Sequence, residues 1–429
     1  MGHMEQVFEL DPAAGEAELR VQLEQLEVLK SRIAAQQARV TAAWRAKRHA
    51  AEAAAGVPKS KRGHGLASEV ALARHDAPNA GGRHLGMARA LVEEMPYTLA
   101  ALECGALSEY RAMLIVRESA CLSVEHRREL DARLCADVTR LAGWGDKRVA
   151  AQARQIACEL DVAAVVDRSA KAPEDRTVTI RPAPDAMVYV TAHLPVAQGV
   201  SVYATLKRQA DTTFDGRTRG QVMADTLVER ITGRPAARPA DVMVNLVMAD
   251  TTLMGDDDAP AWLQGYGPLP AAIARGLTGD AVRDKKTKAM LRRLYRHPSS
   301  GQLVAMESRA RVFPQGLAEF IGIRDRTCRT PYCNAEIRHR DHATPKRRGG
   351  KTSALNGLGV CEACNYAKEA PGWTVHTSDT NGVHTAEFST PTGATYQSTA
   401  PPLPGPPVRR KLSLMEGRLS IDLVTFEAA

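Results

Sequence analysis

Residues 328–365 read CRTPYCNAEIRHRDHATPKRRGGKTSALNGLGVCEACN, and this stretch decides what the C-terminal part of the chain folds around. Cys328 and Cys333 enclose four residues, Cys361 and Cys364 enclose two, and 27 residues separate the pairs. Two close pairs of thiols at such a separation are what tetrahedral zinc requires of a small module. Four thiolates complete the coordination shell and leave no place for water, so the expected zinc is structural and catalysis falls to other residues.

Those residues lie between and just after the pairs. Asp341-His342 is expected on a short strand, followed by Pro345 and the loop Lys346-Arg347-Arg348-Gly349-Gly350; Asn356 stands five residues before Cys361, and Asn365 directly follows Cys364. In order and spacing the segment resembles the HNH endonuclease motif over about 50 residues, from Asp325 to Trp373. The resemblance implies a ββα fold in which Asp341 is a metal ligand, His342 the general base, Asn356 a loop-orienting residue and Asn365 a second metal ligand.

Elementary chemistry runs parallel to the resemblance. Hydrolysing a phosphodiester needs a nucleophile made from water, a cation at the developing negative charge and a held backbone. An imidazole with an ordinary pKa near 6.5 accepts a proton from water at neutral pH. Asp341 and Asn365 are hard oxygen ligands suited to Mg²⁺ or Mn²⁺. Arg338, Arg340, Lys346, Arg347, Arg348, Lys351 and Lys368 can hold phosphates on either side of the cut. His339 competes with His342 for the base; His342, beside Asp341, is preferred.

The segment departs from the usual pattern twice. Its first cysteine pair encloses four residues where two is commoner. Asn365 stands in place of the final His of the name-giving triad, and an amide is a poorer ligand than imidazole for transition metals, which favours Mg²⁺ or Mn²⁺ as catalytic ion over Zn²⁺ or Ni²⁺.

Charge agrees with this focus. The 429 residues carry 57 Lys or Arg against 49 Asp or Glu, a net +8, yet residues 281–351 hold 18 basic and 6 acidic residues, a net +12. The remaining 358 residues are at −4, so a polyanion is expected at this segment and the helical body largely off it. Salt should weaken binding there. No apolar run approaches the roughly 18 residues needed to span a bilayer. Met1 to Leu10 lacks the pattern of a signal peptide, and Gly2-His3-Met4 looks like a cloning scar, so a cytoplasmic chain without membrane partners is expected.

An α+β multidomain chain is expected. After a tail at 1–15, residues 16–170 read as a helical domain, beginning with one long helix from Glu16 to about Ala50. Leu19, Leu26, Ile33 and Val40 recur there at seven-residue intervals, as a coiled coil between chains or a seam within the domain, which leaves a homodimer open. Ser108 and Ser123 are expected helix caps. Cys104, Cys121, Cys135 and Cys158 read as small buried hydrophobes. Residues 171–280 form a small mixed α/β unit, with a hairpin of Thr177–Ile180 and Met187–Leu194, helices at 197–210 and 221–231, and a strand at 242–248. The acids Asp256, Asp257 and Asp258 read as a solvated turn. Residues 281–323 are a basic hairpin, Met290 to Met306, and a helix leading into the nuclease segment at 324–375. Residues 376–429 hold hairpins, with Asp379-Thr380-Asn381-Gly382 as a turn between strands, and a flexible Pro-rich tail.

The body has its own resemblance. The stretch Ala88 to Val116, with Leu91, Pro96, Thr98, Ala101, Leu102, Gly105, Leu107 and Ser108, looks like the helical domain of unknown function in the bacterial and phage 13E12 repeat family, whose members typically end in an HNH module. Pieces at 185–194, 215–224, 263–268 and 325–329 fit the same family. The leading expectation is a metal-dependent endonuclease that nicks DNA or cuts both strands. The alternative is a noncatalytic zinc-dependent DNA-binding or regulatory protein on the same scaffold; cleavage of RNA or of modified DNA is a third.

Overall fold

A computed structural model describes residues 8–237, 246–255, 257–283, 303, 307–308 and 313–404. It divides into two compact units, Met1–Lys171 with Tyr366–Gly372, and Ala172–Asn365 with Trp373–Ala429. Among the described residues no helix is long and apolar enough to cross a membrane.

The first unit opens on α1, Glu16–Ala54, an Ala-, Glu-, Gln- and Arg-rich run without Gly or Pro that stops at Gly56, whose φ is +74°. Its N-terminus is closed by Glu18, whose side chain accepts from the Gly15 N–H at 2.9 Å. The seven-residue stripe is not the face this helix buries. Ser31, Ala34, Ala35, Ala38, Thr41 and Ala42 face the domain, while Leu19, Ile33 and Val40 stay in solvent at 39%, 48% and 56% exposure. Small residues win the buried face because they let two helix backbones approach closely.

Helices α2 (Leu66–Ala73), α3 (Gly81–Arg89), α4 (Pro96–Glu103), α5 (Glu109–Glu118), α6 (Val124–Cys135), α7 (Asp146–Leu160) and α8 (Val162–Lys171) complete the unit. Ser108 and Ser123 cap α5 and α6 as expected, accepting from the N–H groups of Arg111 and His126. The start of α4 is capped from outside: buried Asp131 on α6 accepts from the Tyr97 and Thr98 N–H groups at 2.8 and 2.7 Å. Two clusters fill the interior, one of Ala34, Ala35, Ala38, Leu91 and Leu102, the other of Leu107, Ile115, Leu130, Leu134 and Val149. Of the four helical cysteines only Cys135 is buried, its thiol pushed up to about 12 by burial; Cys104 is exposed, against the expectation from sequence.

The second unit begins with the expected hairpin, β1 (Thr177–Ala183) against β2 (Met187–His193), and the expected helices, α9 (Val196–Asp211) and α10 (Arg219–Thr232). Strands β3 (Leu246–Val247), β4 (Ala261–Leu263) and β5 (Gly267–Leu269) form an antiparallel sheet with α11 (Asp250–Met254) and α12 (Ala271–Arg283) beside it in sequence. Residues 242–245 of the expected strand, Asp256 and nearly all of the hairpin 290–306 lie outside the described residues. Asp257 makes a local turn, accepting from the Thr251 hydroxyl and the Ala259 N–H.

From residue 307 onward come β6 (Glu307–Ser308), α13 (Gln315–Asp325), β7 (His339–His342), β8 (Thr352–Ser353), β9 (Gly357–Val360) and α14 (Glu362–Lys368). β7 pairs antiparallel with β9, and β6 with β8. The last sheet is β10 (Thr374–Thr380), β11 (Val383–Ser389) and β12 (Thr395–Thr399). Its first turn holds Asn381 and Gly382 at φ +56° and +73°, the left-handed pair that a two-residue hairpin turn demands. β6, β8 and β12 were not legible in the sequence.

Candidate metal centre

The four cysteines converge. All four Sγ atoms lie within 4.8 Å of one another, and Cys333 Sγ is 3.9 Å from Cys361 Sγ. A tetrahedron with metal–sulfur bonds of about 2.3 Å has edges of about 3.8 Å, so the thiols stand where a structural zinc needs them. The backbone builds both corners: the Cys333 N–H bonds the Thr330 carbonyl at 3.0 Å, and the Cys364 N–H points at Cys361 Sγ at 3.5 Å. The thiols' mutual hydrogen bonds hold Cys328 and Cys361 below the ordinary thiol range and push Cys333 and Cys364 above it, as in a cluster of thiols sharing protons. The cluster can therefore hold a structural metal such as zinc, with α14 starting from its second corner.

Cys361 immediately follows β9, whose partner β7 carries the Asp-His pair. Along β7 His342 is buried, His339 and Asp341 are half-buried and Arg340 is exposed. The buried imidazole is held in place: His342 Nε2 lies 2.9 Å from Thr352 Oγ1, and the Phe313 ring packs on it with centroids 4.7 Å apart. His342 Nδ1 is 3.6 Å from Asp341 Oδ1, which is one-third exposed.

Asn356 governs the loop between β7 and β8. Its Oδ1 accepts from the Thr344 N–H at 2.9 Å, and its Nδ2 donates to the carbonyls of Thr344 and Lys351 at 3.0 and 2.8 Å. One amide thus ties both ends of the basic loop. The double glycine makes this possible, because Gly349 turns at φ +85° and a Cβ on Gly350 would fall 1.7 Å from the Thr344 oxygen. Lys346, Arg347, Arg348 and Lys351 stand exposed on the loop, and Arg338 and Arg340 are exposed on or beside β7.

Lys368 departs from that set. Its side chain is 2% exposed and its Nζ sits 2.8 Å from Glu369 Oε1, so it is removed from the surface that could meet an anion. Asn365 is held on α14 by its N–H bond to the Cys361 carbonyl, and its Oδ1 is buried with no hydrogen-bond partner. An orphaned buried carbonyl oxygen is the kind of atom a hard cation or its water satisfies.

Behind the hairpin lies a network that the sequence reading missed. The fully buried Asp325 carboxylate accepts from Arg324 at 2.7 and 3.0 Å, from Arg329 at 2.9 Å and from the Gly359 N–H on β9 at 2.7 Å. Burial opposes its charge, but the two guanidiniums outweigh burial and hold the carboxyl below the usual range. Arg324 also donates to the Gly357 carbonyl at 2.6 Å. Arg329 donates to the Ser398 carbonyl at 2.6 Å and faces His384 Nδ1 at 3.3 Å, while His384 Nε2 bonds the Leu355 carbonyl at 2.8 Å. These contacts lock β9 and the loop before it to the last sheet. The only trace in sequence was the i, i+4 pair of Asp325 and Arg329; Thr352 left none.

A family model described as a domain of unknown function, DUF222, matches residues 20–325 and ends just before Cys328. No curated protein and no solved structure matches the chain.

Proposed function

The chain belongs to the DUF222 family, and from that premise we propose that it is a metal-dependent HNH endonuclease that hydrolyses DNA phosphodiester bonds. In DUF222 families this N-terminal region accompanies HNH proteins. The observation that carries the reading is the antiparallel pair β7–β9 running into α14, anchored by the four-thiol cluster and presenting Asp341 beside a buried, oriented His342.

His342 takes a proton from water, and the resulting hydroxide attacks phosphorus in line with the leaving 3′ oxygen. The P–O3′ bond breaks with its electron pair moving to that oxygen, which takes up a proton and leaves a 3′-hydroxyl and a 5′-phosphate. Thr352 and Phe313 fix the imidazole plane, so reorientation need not precede proton transfer. Asp341 and Asn365 would hold a divalent Mg²⁺ or Mn²⁺, which supplies positive charge at the leaving oxygen when bound. Asn356 keeps the basic loop closed, with Lys346, Arg347, Arg348 and Lys351 set against the phosphates on either side of the cut.

Substituting His342→Ala tests the base. Plasmid cleavage should fall by about 10² to 10⁴ while zinc content and DNA binding persist. Cutting at the parental rate sinks the assignment. After chelation, Mg²⁺ or Mn²⁺ should restore activity; restoration by Ni²⁺ or Zn²⁺ alone counts against the oxygen-donor site.

A further inference from the structure

The first four turns of α1 pack lightly, with Leu26, Val28 and Leu29 half-buried and Val28 beside Gly105. No residue from Glu16 to Lys30 is buried, and Leu23 is 67% exposed beside the Leu19, Ile33 and Val40 stripe. An isolated helical arm is marginal in water, and most helical stability comes from packing an apolar face. Here the packed face is the alanine face farther along, so Leu19, Ile33 and Val40 of the seven-residue stripe stay exposed in the described unit while Leu26 is half-buried.

Charge along α1 says what fits it. Residues 16–27 hold Glu16, Glu18, Glu24 and Glu27 against Arg20, a net −3, whereas residues 32–43 hold Arg32 and Arg39 and no acid, a net +2. A parallel pair of such helices sets like charge beside like. An antiparallel pair with its two-fold midway along the stripe faces Leu19 with Val40 of the second copy and Leu26 with Ile33, since both pairs sum to 59. The same register lays 16–27 along 32–43 of the second copy, so an acidic stretch meets Arg32 and the Arg39 that pairs with Glu103 of its own chain, twice over. The helix macrodipoles also favour this direction.

We propose that a second copy of this chain covers the stripe, forming a two-fold antiparallel dimer through α1. The surface is distinct from the nuclease segment, so the dimer stands or falls independently of the proposed activity. If that activity holds, the dimer carries two active sites.

Sedimentation equilibrium of the full zinc-loaded chain decides the matter. At about 50 µM and low salt the parent should sediment at twice 46.3 kDa, and Ile33→Glu with Val40→Glu, both at exposed positions, should weaken association by at least about tenfold with unchanged helicity. A monomeric parent overturns the proposal, as does a double variant that dimerises like the parent. Direction is read by charge exchange: Glu16→Lys, Glu18→Lys, Glu24→Lys and Glu27→Lys together should weaken the dimer, and adding Arg32→Glu, which leaves the Arg39–Glu103 ion pair of each chain intact, should restore part of it. No restoration overturns the antiparallel arrangement.

Discussion

Asn356 and Thr344 are joined by two hydrogen bonds, the Asn356 carboxamide both accepting from the Thr344 N–H and donating to its carbonyl. One side chain replaces the pairing a neighbouring strand would offer, and its third bond, to Lys351, reaches the other end of the loop. The loop therefore has a fixed shape although it is exposed and highly charged.

Asn356→Ala should remove all three bonds and destabilise the module by about 1 to 3 kcal/mol. Hydrogen exchange at the Thr344 amide should quicken, with zinc content unchanged. Asn356→Asp should do no better, because a carboxylate cannot donate to the two carbonyls. Parental exchange at Thr344 in either variant would show that the loop is held by something else.

The thiol cluster predicts one zinc per chain. Metal analysis of the purified protein should find it, and Cys361→Ser or Cys364→Ser should lose both the metal and the cooperative melting it supports. Cys104→Ser, at an exposed thiol far along the helical unit, should retain it.

Acid should unlatch the last sheet. Burial first, and then the Arg324 charge, hold His384 down to about 4, against an ordinary value near 6.5. In the folded chain the imidazole stays neutral while the unfolded chain takes up a proton below 6.5. Stability is thus full above that pH and declines as pH falls toward 4, by about 3 kcal/mol in total at 1.36 kcal/mol per unit. Urea midpoints measured between pH 7 and 4 should show this slope, and His384→Gln should flatten it; an identical slope in the variant would place the titrating group elsewhere.

The exposed basic loop and the buried Lys368 should part company. Replacing Lys346, Arg347 and Arg348 by Ala should lower the slope of log affinity for duplex DNA against log salt by about 3, at roughly 0.9 per lost phosphate contact. Lys368→Ala should leave that slope alone, since its ammonium is spent on Glu369 inside the fold. Fluorescence anisotropy at graded KCl reads both.

The sequence determined what depends on neighbours along the chain. The cysteine pairs, the Asn-Gly hairpin turn, the serine caps and the long helix rest on local spacing and backbone preference, and each is present in the structure. What depends on distant partners was hidden. Whether the leucine stripe or the alanine face of α1 is buried turns on which surface α3 and α4 present, and periodicity alone favours the larger side chains. Lys368 reads as a free cation until Glu369 and burial claim it. Thr352 against His342, and Asp325 against the Gly359 N–H, join residues ten and 34 positions apart, and nothing local marks them. Hydrogen bonds and desolvation are fixed by which groups meet in space, so only tertiary structure decides them.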